Sequence, residues 1–127
     1  LRQRLGDGFA WIARRFLDVP LYDYQCGAKA MTRETWQAIR THLYESGFAW
    51  DIEVIAMAGA FDRRIEEVPV AWEDHPDSTV ATRDAIPELL SALFSARHRA
   101  RKVAGHPIHT SIATGRDDQP PLVNRYR

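Results

Sequence analysis

A single cysteine, Cys26, leaves no partner for an internal disulfide, which excludes the small disulfide-stapled secreted folds and fits a reducing compartment. No sign of charge predominates: Lys plus Arg and Asp plus Glu number 17 each, so no global field draws the chain to nucleic acid or an anionic membrane. Any charge argument is therefore local. No long hydrophobic run is present either. The longest, Val54 to Phe61, is interrupted by Gly59 and falls far short of the roughly 18 residues that span a bilayer, so the chain reads as soluble. The amino terminus, Leu1-Arg2-Gln3-Arg4-Leu5, has neither a signal-peptide core nor an initiator Met, which reads as a fragment or a processed piece. No internal repeat and no Asp-x-Asp occur anywhere. What remains, 127 residues that are 45% hydrophobic and 27% charged, suffices for one globular domain with a core of its own.

Leu5, Phe9, Ile12, Ala13 and Phe16 recur at helical spacing and predict a helix over 2–16, stopped by Asp18-Val19-Pro20. Gly27 to Met31 reads as a strand entered through a turn. Thr32 is placed to cap the next helix, with Met31 and Trp36 as a hydrophobic staple and Trp36, Ile39 and Leu43 buried. After Ser46-Gly47, residues 50–60 form a helix apolar almost all round, which predicts burial. Arg64 to Trp72 alternates like a strand, with Pro69 marking an edge or bulge. A long helix is expected over 84–103, with Pro87 in its first turn and a stripe of Ile86, Leu89, Leu90, Leu93 and Phe94. Residues 105–127 lack periodicity and read as a flexible tail behind a domain of residues 1–104.

Three segments carry chemistry. In Asp23-Tyr24-Gln25-Cys26-Gly27-Ala28-Lys29, glycine permits close backbone approach and Lys29 can meet a phosphate as a point charge; on these residues alone, an ordinary turn feeding a strand, with Asp23 capping local amides, is the better reading. In Phe48-Ala49-Trp50-Asp51-Ile52-Glu53, the acids suit a helix start, or one of them faces a cleft and handles a proton. Glu66-Glu67-Val68-Pro69-Val70-Ala71-Trp72 reads as a strand with a polar preamble.

In this order and spacing the three segments resemble the second half of the polyprenyl-phosphate glycosyltransferases of glycosyltransferase family 2, the dolichyl-phosphate mannose and glucose synthases and their bacterial relatives. The resemblance covers residues 2–95. It implies an α/β architecture, the carboxyl-terminal portion of a GT-A fold in which a few strands pack with three or four helices. It also implies inverting transfer of a hexose from a nucleotide sugar to a polyprenyl phosphate. Carried over residue by residue, Asp23 is similar to the acid at the cleft floor and Asp51 to the base-like acid. Gln25, Lys29 and Arg33 fall on the substrate side, and Arg4 and Arg15 lie where relatives have basic residues near the phosphates. Mg or Mn is expected for a full-length enzyme. With no Asp-x-Asp to hold it, this chain is expected to bind no metal and to be inactive alone. Departures are Ala28, where Phe is common, and Asp77-Ser78-Thr79, where relatives place Ser-Lys.

Glu73-Asp74-His75-Pro76-Asp77 reads as a solvated loop rather than a metal site. Arg97, Arg99, Arg101 and Lys102 form a basic patch behind an apolar stripe, which suits a membrane surface or the solvated end of a packed helix. The patch is short and lacks interleaved aromatics, so nucleic acid is not expected as a partner. The whole reads as a cytoplasmic protein, with peripheral contact to the cytoplasmic face of a membrane. The rival is a non-catalytic truncated module that binds a membrane or protein partner.

Overall fold

The computed structural model describes residues 2–24, 28–47, 49–71, 82–105 and 120–125, with side chains omitted at 2–6 and 82–86. Among the described residues five helices follow in order: α1 (Arg2–Leu17), α2 (Arg33–Ile39), α3 (Ala49–Ala60), α4 (Thr82–Val103) and the short α5 (Leu122–Arg125), with a 3-10 turn at Arg40–His42.

The helix α3 organises the rest because its apolar surface is divided between two cores. Ile52, Ile55 and Ala56 meet Ala10, Ala13 and Leu17 of α1, Leu93 and Ala96 of α4, and Val19, Leu21 and Tyr24 of the connecting turn. On the other side Val54 and Met57 meet Ile39 and Leu43, with Trp50, Phe61, Val103 and Leu122 packed around them. Each fully buried large side chain contributes about 1.5–3 kcal/mol of burial, so the all-round apolar pattern is what holds the helices together. The end of α3 is set by Asp62, at φ 57, with Arg63 N–H donating to Ala58 O at 2.9 Å and Asp62 N–H to Gly59 O at 3.0 Å. That is the paired bonding of a Schellman cap.

A close approach fixes one glycine. A Cβ on Gly59 would come within 2.6 Å of Val19 Cγ2, where the turn after α1 crosses α3. Gly to Ala inside a helix normally stabilises by about 1 kcal/mol. Here the sign reverses. Gly59→Ala is expected to lower stability by roughly 1–3 kcal/mol through overpacking, and adding Val19→Ala should recover part of the loss, as read by urea denaturation.

The expected helices appear, with differences of detail. Thr32 caps α2, its side chain accepting from Thr35 N–H, and Ile39 and Leu43 are buried as expected. Trp36 is 37% exposed, not buried, and is not among the side chains packed with Ile39 and Leu43. Pro87 lies in the second turn of α4, since that helix starts at Thr82, and it leaves the Arg83 carbonyl without its helical donor. Beyond residue 104, Leu122–Arg125 is fastened to the body: Leu122 N–H donates to Leu43 O at 2.8 Å.

The strands are a larger correction. Among the described residues there is none, and both Ala28–Met31 and residues 63–71 run without regular structure. A strand exists only when a neighbour takes up its N–H and C=O groups, and no described segment lies alongside to do so. Val68 and Val70, which the strand-like alternation puts on one face, are 76% and 60% exposed. Trp72 and the loop that follows lie outside the described residues.

Candidate functional site

The turn between α1 and residue 24 has no helix or ladder to satisfy its backbone, so side chains do this instead. Tyr24 is fully buried, and its hydroxyl accepts from Leu21 N–H at 3.1 Å and donates to Val19 O. Burial raises its phenol above the ordinary 10.0, opposed by the Leu21 hydrogen bond and by Arg14, with Glu67 adding to the rise. Arg14 Nε donates to Leu21 O at 2.8 Å, and its guanidinium lies over the Tyr22 ring. From the far segment, Glu67 Oε1 accepts from both Tyr22 N–H at 2.8 Å and Asp23 N–H at 2.9 Å.

This turn forms one wall of an open cleft of ≈ 870 Å³. Ala28 to Thr32 continue that wall, residues 63–70 form the opposite one, and Ile39, Val54, Ile55 and Ala58 supply an apolar floor. Lys29 lines the cleft, and behind it Asp51, in the first turn of α3, accepts from Lys29 Nζ at 2.7 Å. Both side chains are 16% exposed. A lysine ammonium is a point charge that can meet an anionic ligand as well as a carboxylate. Apolar floor and rim cation together suit an amphiphile with an anionic head.

Glu53, two residues after Asp51, has another role. It is 0% exposed, and its carboxylate accepts from Tyr44 and Glu45 N–H at 2.8 Å each and from Arg99 Nη1 at 2.6 Å. Arg99 also reaches Glu45 at 3.1 Å and stacks over Tyr44. Burial pushes the Glu53 carboxyl above its ordinary 4.5, opposed by the two amides and by Arg99. The arrangement ties α3, the loop before it and α4 into one unit, and so fixes the first turn that carries Asp51.

Asp23 and Lys29 thus line one cleft, and Asp51, which does not line it, is joined to it through Lys29. Arg33 is exposed at the start of α2, where Thr32 and Thr35 rather than Arg33 line the cleft. Arg15 is exposed on α1 and does not line the cleft either. Gln25 and the Arg4 side chain lie outside the described residues. In the basic patch, Arg99 is turned inward onto Glu53 rather than outward to a surface. Arg101 pairs with Asp18 at 2.7 Å, and Arg97 lies over the Phe16 ring. Sequence reasoning missed Glu53 and Glu67. A carboxylate beyond the first turn of an otherwise apolar helix signals a buried partner and could have revealed Glu53. Nothing local to Glu67 announces contact with residues 44 and 45 positions away. Among the described residues, no three of His, Cys, Asp or Glu come together as metal ligands, and no helix is long and apolar enough to cross a membrane.

No family model and no solved structure matches the chain. Curated proteins do. Glycosyltransferase AglD of Haloferax volcanii is 38% identical over 69 residues, 54% of this chain and 11% of that protein. Dolichyl-phosphate beta-glucosyltransferase of Saccharomyces cerevisiae is 30% identical over 81 residues, 64% of this chain and 24% of that protein. The Dictyostelium discoideum protein of the same name is 34% identical over 74 residues, 58% of this chain and 23% of its own length. The matches therefore span less than a quarter of each relative. The resemblance read from the three motif segments is borne out to that extent: this chain is a relative, over more than half of its length, of glycosyltransferases that include the dolichyl-phosphate beta-glucosyltransferases.

Proposed function

We propose that the chain is the acceptor-side portion of an inverting glycosyltransferase of family 2 with a GT-A fold. The full enzyme would move a hexose from a nucleotide sugar to a polyprenyl phosphate at a membrane surface. The observation that carries the reading is the cleft itself: an apolar floor with Lys29, oriented by Asp51, on its rim, and the Asp23 turn on the same wall. A lipid phosphate has the matching halves, a prenyl chain for the floor and a phosphate for the ammonium.

In this reading the acceptor oxygen is already an anion, so a strong base is not required. Asp51 then acts mainly by holding Lys29, and Lys29 by placing the phosphate. Asp23 faces the same space and orients the sugar side. Mg or Mn, which would neutralise the departing nucleotide diphosphate, belongs to the full enzyme. Among the described residues no three carboxylates, histidines or cysteines come together to hold it. Alone, the chain is proposed to bind acceptor without transferring sugar. The non-catalytic alternative, a module bound to a membrane or a protein, loses two of the four cations it drew on, since Arg99 and Arg101 pair with acidic partners.

Titrating the chain with a C10 isoprenoid phosphate, with inorganic phosphate and with the matching isoprenol tests the reading. The expected result is saturable binding of the isoprenoid phosphate, at least tenfold tighter than either half-ligand, because floor and rim act together. Equal affinity for inorganic phosphate would remove the lipid from the proposal. No binding of the isoprenoid phosphate would remove the acceptor role.

A further inference from the structure

We infer that Glu67 is the positioning residue of the Asp23 turn, a carboxylate clasp across the cleft that fixes where Asp23 meets a ligand. This deepens the acceptor-cleft reading and rests on it. Leu21 and Tyr24 anchor the base of the turn in the core, but the residues between them do not follow them inside: Tyr22 is 84% exposed and Asp23 is exposed. Burial therefore does not set their position. Their two successive N–H groups converge instead on a single oxygen, Oε1 of Glu67, at 2.8 and 2.9 Å. Hydrogen bonds to an ionised acceptor are about twice as strong as neutral ones. Two of them on one atom also define direction as well as distance.

The clasp also joins the two walls. Glu67 belongs to the segment of residues 63–70, which has no strand or helix of its own to hold it, while the turn belongs to the opposite side. Ile65 packs this segment onto the core near its start, and Glu67 then ties it across the opening. The carboxylate thus links the backbone of the Asp23 turn directly to the segment that carries Glu67. Glu67 touches no reacting group in this account; it acts through Asp23.

The test compares the intact chain, Glu67→Ala and Glu67→Gln. Amide proton shifts and hydrogen exchange at Tyr22 and Asp23 are measured first, then affinity for a C10 isoprenoid phosphate. Glu67→Ala should move both amides upfield, speed their exchange and weaken binding roughly fivefold, with the melting temperature shifting by no more than about 2 °C because the contact is exposed. Glu67→Gln keeps an oxygen acceptor, so it should retain amide protection and bind within about twofold of the parent. Unchanged exchange in Glu67→Ala would overturn the inference. So would faster exchange with unchanged affinity, or a loss in Glu67→Gln as large as in Glu67→Ala, which would make charge rather than position the cause. Should the parent itself fail to bind the isoprenoid phosphate, the acceptor reading falls, and amide exchange alone then decides the clasp.

Discussion

Glu53→Ala is expected to cost about 3–5 kcal/mol of folding stability, enough to unfold much of the population of a domain of this size. The substitution leaves the Arg99 guanidinium without its 2.6 Å partner and strips the Tyr44 and Glu45 amides of their acceptor. Replacing a buried charge pair by apolar groups is far milder than removing one member. Glu53→Met combined with Arg99→Met should therefore recover much of the loss, although the two amides stay unsatisfied. The measurement is urea denaturation followed by far-ultraviolet circular dichroism. A Glu53→Ala loss below about 1 kcal/mol would contradict the account, since it would make the carboxylate no more than a surface acid.

Glu53 also gives a pH dependence with a definite sign. Its folded value is raised by burial above 4.5, so the folded state binds the proton more tightly than the unfolded state. Titration of this group therefore favours the fold fully below the unfolded value. That contribution is lost as pH rises through the folded value. The stability of the parent relative to Glu53→Gln should fall as pH climbs from about 4 towards neutrality. A difference that rises with pH would mean that Arg99 outweighs burial.

Lys29→Ala is expected to weaken isoprenoid-phosphate binding by about 1.5–3 kcal/mol, roughly 10- to 150-fold. It removes the rim cation and leaves Asp51 facing the incoming phosphate with its own negative charge. Asp51→Asn should cost less, because the amide oxygen still accepts from Lys29 while the repulsive charge is gone. The order of effects is the informative part: Lys29→Ala largest and Asp51→Asn smaller. Binding by Lys29→Ala within about twofold of the parent would contradict the assignment of Lys29 to the phosphate.

Much of the helical framework was legible because periodicity reports burial directly. The apolar faces of α1, α3 and α4, the Thr32 cap and the Asp18 stop are all local features of the chain. The strands failed for a physical reason: alternation at 64–72 reports which side chains would share a face, not whether a neighbouring strand exists. The site was partly legible. Asp23, Lys29 and Asp51 stand out by residue type and spacing, yet the salt bridge that joins Lys29 to Asp51 spans 22 positions and no local rule finds it. Arg99 was misread for the same reason. In sequence it is one of four cations within six residues, whereas in space its guanidinium reaches Glu45 and the buried Glu53.

The most direct test maps bound ligand onto the cleft. Isotope-filtered nuclear Overhauser spectra of the methyl-labelled chain with a C10 isoprenoid phosphate should connect the prenyl methyls to Ile39, Val54, Ile55 and Ala58, with amide shifts at Tyr22, Asp23 and Lys29. Contacts confined instead to Leu89 and Ala92 on α4, or to the Arg97–Lys102 end of that helix, would show that the anionic lipid binds elsewhere and that the Asp23 turn and Lys29 do not line its site.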